Sequence, residues 1–292
     1  MNFSPSTVAT VCAPAKINLY FHITGRQADG YHLVDSLIGF TTLGDELTIR
    51  AGKPLDIVSD GLFAGGMPPP KQNLVYQALQ LLAETAGVQA NAHVTITKNL
   101  PVAAGIGGGS SDAAAAMKAM AVLWGFSDGS IDLFTLGLSL GSDVPACLKA
   151  QTTYAGGIGE VLDEAPQLPR TGILLVNPGV PLVTSSVFHA RRGGFKPFDR
   201  FDTRPKDAAA LAALLAHRGN DLTDAAVQLC PIIRSVLATL EAAPGCHLAR
   251  MTGSGASCFG IFDDLAAAKF AAPTVTREGW WVAPTELSTE AS

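Results

Sequence analysis

The segment KNLPVAAGIGGGSSDAAAAM, Lys98 to Met117, sets glycines at 105, 107, 108 and 109 ahead of Ser110 and Ser111. Glycine has no Cβ to hold a phosphate away and takes positive φ freely, so successive N–H groups of such a run converge on one oxyanion. A helix beginning near Ser110 or Ser111 brings the positive end of its dipole to the same place. Two or three glycines before a helix are as readily a plain connection; the longer run G-x-G-G-G-S-S-D favours an anion site. Neither common nucleotide fingerprint is met. A Walker loop needs G-K-[ST], and no lysine follows these glycines. A dinucleotide fold puts its glycines directly after the first strand, with an acid at a strand end about 20 residues on. Here Pro101 interrupts the approach, and WGFSDGS, at about that distance, reads as a helix exit.

Three further groups could do chemistry. Between Val11 and Ile23, alternation puts Ala13, Ala15, Ile17, Leu19, Phe21 and Ile23 on one face of a strand and Lys16, Asn18, Tyr20 and His22 on the other. Such a polar face is commonly just solvated. Pro14 before it and the turn GRQADGYH after it speak for more, because the tight bend at Asp29 and Gly30 presents Tyr31 and His32, which could stack on and hydrogen-bond a flat ligand. In LGSDVPACL, Asp143 precedes Val144 and Pro145 at a helix start, a place that suits an N-cap or a general base. MTGSGASCFGIF, Met251 to Phe262, reads as a glycine turn between strands, a hairpin or a bulge.

The elements that must hold these groups alternate along the chain. ELTIR (Glu46 to Arg50) and HVTITKNL (His93 to Leu100) join Val11 to Ile23 as strands, with NLVYQALQLLAETAG as a helix between them. Later, GILLVNPG and RMTGSGASCFGIF read as strands, and DAAALAALLAH, PIIRSVLATLEAA and DDLAAAKFAA as helices, with RRGGFKPFDRFDTRPKD a long loop. Two α+β domains with a boundary between Gly156 and Arg170 fit this order. At 292 residues and 48% hydrophobic the chain can bury sizeable cores. With 15% charged residues and a net charge of −5 it has no basic excess for a polyanion, so nucleic acid is not expected as a partner. No apolar run approaches the ~18 residues of a membrane helix, and MNFSPSTVAT has neither a cationic start nor an apolar core, so no membrane partner and a cytoplasmic location are expected. The five cysteines show no C-x-x-C spacing, which points away from a disulfide framework or a zinc site.

Taken in order, P-A-K-I-N-L with G-R-Q-A-D-G-Y-H, then P-V-A-A-G-I-G-G-G-S-S-D-A-A, G-S-D-V-P and T-G-S-G-A-S-C-F resemble the GHMP kinase superfamily over almost the whole chain, least from about Arg191 to Arg250. The glycine motif marks the superfamily. The A-D-G-Y-H turn and the doubled glycines before Ser110 narrow the likeness to the branch whose acceptor is a cytidine diphosphate-linked methylerythritol; homoserine, mevalonate or sugar kinases are the alternatives. A non-catalytic RNA-binding module on the same fold is disfavoured by the acidic composition and by the presence of both Lys16 and Asp143.

The resemblance implies an α+β, two-domain GHMP kinase fold. Its N-terminal domain, 1–160, would be similar to a ribosomal-protein domain and its C-terminal domain, 161–292, ferredoxin-like, with the active site in the cleft between them. It implies ATP and Mg2+ as cofactors, a small-molecule acceptor, and a monomer or weak dimer. In the family the glycine motif wraps the nucleotide phosphates, which places ATP along Pro101, Val102, Ala103, Ala104, Gly105, Ile106, Gly107, Gly108, Gly109, Ser110 and Ser111, with Asn73 and Lys98 toward the adenine. Ile106 stands where leucine is usual, a change of shape and not of chemistry. The resemblance makes Lys16 and Asp143 catalytic. It gives Asn18, Tyr31 and His32 to the acceptor, the aromatic stacking on the cytosine and the histidine hydrogen-bonding to it, with Thr184 and Phe188 closing over the base.

Overall fold

The computed structural model describes residues 8–127 and 129–289; the opening MNFSPST, read above for a leader, lies outside them. The first half runs β1 (Val8–Arg26), β2 (His32–Ala51), β3 (Asp56–Asp60), α1 (Leu74–Ala86), β4 (Ala92–Thr97), α2 (Gly108–Leu123), α3 (Leu133–Leu140), α4 (Val144–Lys149), β5 (Thr153–Gly156) and β6 (Val161–Glu164). The second half runs β7 (Gly172–Asn177), α5 (Thr184–Ala190), α6 (Ala208–Ala216), α7 (Thr223–Leu229), α8 (Ile232–Glu241), β8 (Leu248–Met251), β9 (Cys258–Phe262), α9 (Leu265–Val275) and β10 (Trp281–Glu286). Among the described residues no helix is long and apolar enough to cross a membrane.

Two sheets organise these elements. In the first, β2 pairs with β1 along one edge and with β4 and β5 along the other, while β3 adds to β4 and β6 to β5. The β5–β6 hairpin carries this sheet past residue 160, and residues 165–171 lead to the second sheet, four antiparallel strands in the order β10-β7-β9-β8. Helix α1 buries Val75, Ala78, Leu79 and Leu82, one stripe at helical spacing, and ends on Gly87 in the left-handed conformation. Its stripe meets α2, whose small Ala113 and Ala116 allow close approach, over Leu47, Ile49 and Val94 of the sheet. A second cluster sheathes the other sheet with α7, α8 and α9. A third crosses between the halves, packing Ile17, Leu19 and Leu37 with Leu175 and Phe259. The two halves therefore share apolar core, and the cleft lies along its margin.

Strand β1 departs from simple alternation. Its register with β2 steps from Asn18↔Ile38 to Tyr20↔Leu37, a bulge at Leu19 that flips the side chains after it as far as Ile23, where the register shifts again. Lys16 and Asn18 stay on one face, but Tyr20 turns into the apolar cluster with Ile17 and Leu19, and Phe21 takes its place beside Lys16 and Asn18 on the cleft wall. The expected polar face is also not solvated: Lys16 is 3%, Asn18 3% and His22 2% exposed. Burial first, and the nearby Lys196 second, hold the His22 imidazole below its usual range, which keeps it neutral.

Helix α2 starts two residues earlier than the serines suggest. Its N-cap is Gly107, at φ 66°, with no side-chain cap, so no serine competes for the first N–H groups. Upstream, Gly105 lies at φ 74°, and a Cβ there would be driven into the carbonyl oxygen of Gly255 in the β8–β9 turn. Gly253 in that turn is also near, a Cβ on it reaching to 3.0 Å from the Gly105 oxygen, and Ser257 N–H donates to the Ala104 carbonyl at 3.3 Å. The turn is a hairpin connection, as its sequence indicates, and it also backs the glycine loop from the opposite half. Gly105→Ala is expected to lower the free energy of unfolding by about 2 kcal/mol or more, from positive φ plus overpacking. Urea denaturation measures this, and a variant as stable as the parent would show that the loop does not rest on the turn.

Candidate active site

Lys16 is where strand, loop and helix meet. Its own N–H donates to the Ile106 carbonyl at 2.9 Å, binding β1 to the glycine loop, and a Cβ on Gly107 would lie 2.9 Å from Lys16 Cβ. Only glycine lets the backbone pass this close. The Lys16 ammonium is 3.0 Å from Asp143 Oδ2 and donates to Asn18 Oδ1 at 3.0 Å. Asn18 is held in turn: its Nδ2 donates to Ser36 Oγ at 2.8 Å, and its backbone N–H donates to Thr252 Oγ1 at 2.8 Å. Asp143 does not act as a side-chain cap. It occupies the N-cap position of α4 but makes no side-chain cap bond, and its carboxylate faces Lys16 instead.

These groups floor a cavity of about 870 Å³. Of the expected site residues, Lys16, Asn18, Tyr31, His32, Gly105 and Gly107 line it, as do Asp143, Thr184 and Phe188. Tyr31, at 63% exposed, and half-buried His32 stand at one end, where the His32 ring lies 5.3 Å from that of Phe188. Burial, then Arg26, Arg191 and His189, keep the His32 imidazole below its usual range, so it is a neutral hydrogen-bonding group near neutral pH. Phe21, edge-on to Phe188 with centroids 6.3 Å apart, joins this wall, and only the bulge at Leu19 puts it there. Ser36 and Thr252 also escaped the sequence reading. Both are ordinary strand and turn residues until the fold brings them to Asn18.

Residues 73–151 match the family described as GHMP kinases N terminal domain, and residues 201–279 match GHMP kinases C terminal. The 4-diphosphocytidyl-2-C-methyl-D-erythritol kinase of Paramagnetospirillum magneticum is 45% identical over 283 residues, 96% of this chain and 99% of that protein. The protein of the same name from Gluconacetobacter diazotrophicus is 46% identical over 282 residues, 92% of each. The chain belongs to the GHMP kinase family. A crystal structure of 4-(cytidine 5'-diphospho)-2C-methyl-D-erythritol kinase matches with a TM-score of 0.77 at 30% identity, over 96% of this chain and 99% of that one. A homoserine kinase from Cytophaga hutchinsonii, at TM-score 0.68 and 18% identity over 99% of this chain and 98% of its own, shares the fold. The two-domain GHMP kinase architecture expected from the motifs is the one observed.

The rest of the glycine motif is divided between surface and core. Ile106 is buried in the cluster between the halves and Ser111 is 2% exposed, whereas Gly109 faces open space. Asn73 and Lys98 are built into the scaffold away from the cavity. Asn73 is the N-cap of α1 and accepts from the Val75 N–H at 2.9 Å. Lys98, 2% exposed, donates to Asp45 and to Asp112 Oδ2, the latter at 2.8 Å, beneath the first turn of α2, where a Cβ on Gly108 would lie 3.2 Å from its ammonium. Asp45 Oδ1 also accepts from the N–H groups of Asn99 and Leu100 at 2.7 and 2.9 Å, which fixes the chain entering the glycine loop. Burial works against the Lys98 charge, but Asp112 and Asp45 outweigh it and raise its pKa. Burial also pushes the Asp112 carboxyl up to about 7 against the pull of Lys98. Removing one member of a buried ionic cluster strands the others, so Lys98→Met is expected to destabilise the protein by about 3–5 kcal/mol. Urea unfolding measures it; an unchanged midpoint would mean that the Lys98 cluster does not hold the approach to the glycine loop.

Proposed function

We propose that the protein transfers the γ-phosphoryl group of ATP to the 2-hydroxyl of 4-diphosphocytidyl-2-C-methyl-D-erythritol. The observation that carries this reading is the 3.0 Å contact between the Lys16 ammonium and the Asp143 carboxylate, beside the glycine loop and on the floor of the cavity that Tyr31, His32 and Phe188 wall. The substrate follows the relatives. The eight compared, at 41–46% identity and over at least 92% of this chain, all carry the name of that kinase.

Phosphoryl transfer asks little covalent chemistry of a protein, so the work is alignment and charge stabilisation. The exposed amides of the glycine loop and the start of α2 receive the nucleotide phosphates, with the helix dipole in support. Lys16 has three N–H donors, two of them occupied by Asp143 and Asn18, which leaves one for an oxygen of the transferring group. Asp143, paired with Lys16 and with a side chain 44% exposed, accepts the proton of the acceptor hydroxyl. A positioned general base contributes typically 10²–10⁴-fold. Tyr31 and Phe188 take the faces of the cytosine, and neutral His32 hydrogen-bonds to its edge. Among the described residues no cluster of three or more His, Cys, Asp or Glu could cage a metal. Mg2+, which keeps most of its waters and takes few protein oxygens, belongs in this scheme to the incoming nucleotide.

A coupled ADP-release assay over a panel of alcohols tests the reaction class and acceptor together. Turnover with the cytidine diphosphate-linked acceptor, and none with homoserine, mevalonate or galactose, is expected. Turnover with one of those three and none with the cytidine compound would overturn the assignment.

A further inference from the structure

Three guanidinium groups edge the cavity near Tyr31, His32 and Phe188, and no step above uses them. Arg26 pairs with His32 across the β1–β2 hairpin, while Arg191 and Arg192 lie three and four residues past Phe188, just beyond α5. All three line the cavity, one from each side of its mouth and one beside its neighbour. Four other cations meet carboxylates: Lys16 meets Asp143, Lys196 meets Asp221, Arg200 meets Asp35 and Arg218 meets Asp199. These three, like Arg250 and Arg277 outside the cavity, donate to carbonyl oxygens, and Arg191 also lies over the Phe195 ring, 5.5 Å from its centroid. Arg26 Nε donates to Gly30 at 3.0 Å, Arg191 donates to Gly193 at 3.0 Å and to Gly194, and Arg192 donates to His189 at 2.9 Å and to Arg191 at 3.0 Å.

Among the described residues no carboxylate lies within ion-pair distance of any of them, and Arg191 Nε is buried without a partner. Asp29, the carboxylate at this end of the cavity, accepts instead from the Tyr31 N–H at 3.1 Å. The uncompensated charge is felt locally, since Arg26 and Arg191 are among the groups that hold the His32 imidazole down. In a chain of net charge −5, three arginines that line a binding cavity without an ion-pair partner fit an anionic ligand.

We propose that Arg26, Arg191 and Arg192 form the subsite for the diphosphate of the nucleoside diphosphate-linked acceptor. This rests on the acceptor assigned above. A guanidinium fork matches phosphate oxygens two at a time, which an ammonium cannot do. The location separates this subsite from the one for ATP: the arginines flank the residues that take the cytosine, whereas the glycine loop lies against Lys16. In a cytidine diphosphate the diphosphate is one ribose away from the base. Because Arg26 comes from the first sheet and Arg191 and Arg192 from the second half, the diphosphate also ties the two walls of the cleft together.

The test compares cytidine with cytidine diphosphate as competitors of the acceptor in the ADP-release assay, for the parent, for Arg191→Gln/Arg192→Gln and for Arg26→Gln. The last lies on the opposite wall and leaves the loop after α5 intact. In the parent, the diphosphate binds more tightly than cytidine. In both variants its affinity falls about tenfold to a hundredfold, as for lost charge-assisted hydrogen bonds, while cytidine affinity and the KM for ATP stay within about twofold. Added salt weakens diphosphate binding less in the variants than in the parent. Equal losses for cytidine and its diphosphate, an unchanged diphosphate affinity, or a raised KM for ATP would each overturn the subsite alone. If neither compound competed in the parent, the subsite and the acceptor assignment would fall together.

Discussion

Burying a lysine ammonium is unfavourable unless it is fully engaged, and the geometry of the site follows from how this protein engages Lys16. At 3% exposure its charge needs a carboxylate, which Asp143 supplies from the start of α4, and a second acceptor, which Asn18 supplies from two residues along the same strand. Each of these has its own requirement. Asn18 must be oriented by Ser36 and by Thr252, 234 residues away, and Asp143 must give up capping its helix. The backbone of Lys16 anchors the glycine loop through Ile106. One cation thus sets the relative positions of β1, the loop, α4 and the β8–β9 turn.

The same constraint explains why two glycine runs, far apart in the chain, lie face to face. The loop must approach Lys16 on one side and the opposite half of the protein on the other, and a side chain at Gly107 or Gly105 would meet Lys16 or Gly255 respectively. At the start of α2, Gly109 faces open space, the room that an incoming polyanion requires. Beneath this first turn, Lys98 with Asp45 and Asp112 fixes the approach to the loop without reaching the cavity. The site is layered: an ionic cluster in the core, a bare backbone above it, and a cleft with Lys16 and Asp143 on its floor.

Much of this was legible from local patterns, because local chemistry determines it. Of the four glycines read for positive φ, 105 and 107 have it, whereas 108 and 109 are the first residues of α2. Helix α1 falls on the segment read as a helix, and Lys16 and Asn18 share a face of β1 as read. The reading fails where long-range contacts decide. Alternation cannot register the bulge at Leu19, which exchanges Tyr20 for Phe21 on the cleft wall. The serines before the alanine-rich run look like helix caps, yet Gly107 starts the helix because Lys16 leaves no room for a side chain there. The resemblance puts Lys98 toward the adenine; what no local pattern shows is that two aspartates, 53 and 14 residues distant, engage its ammonium in the core.

The claim on which the mechanism turns is that Lys16 and Asp143 act as one unit across their 3.0 Å contact. A double-mutant cycle in turnover, with Lys16→Met, Asp143→Asn and the pair combined, tests it most directly. Each single change is expected to lower kcat by about 10² or more, and the double variant to fall no more than about tenfold below the weaker single, since removing either member disables both. Losses that multiply in the double variant would mean that the two groups work independently, and would contradict the concerted pair.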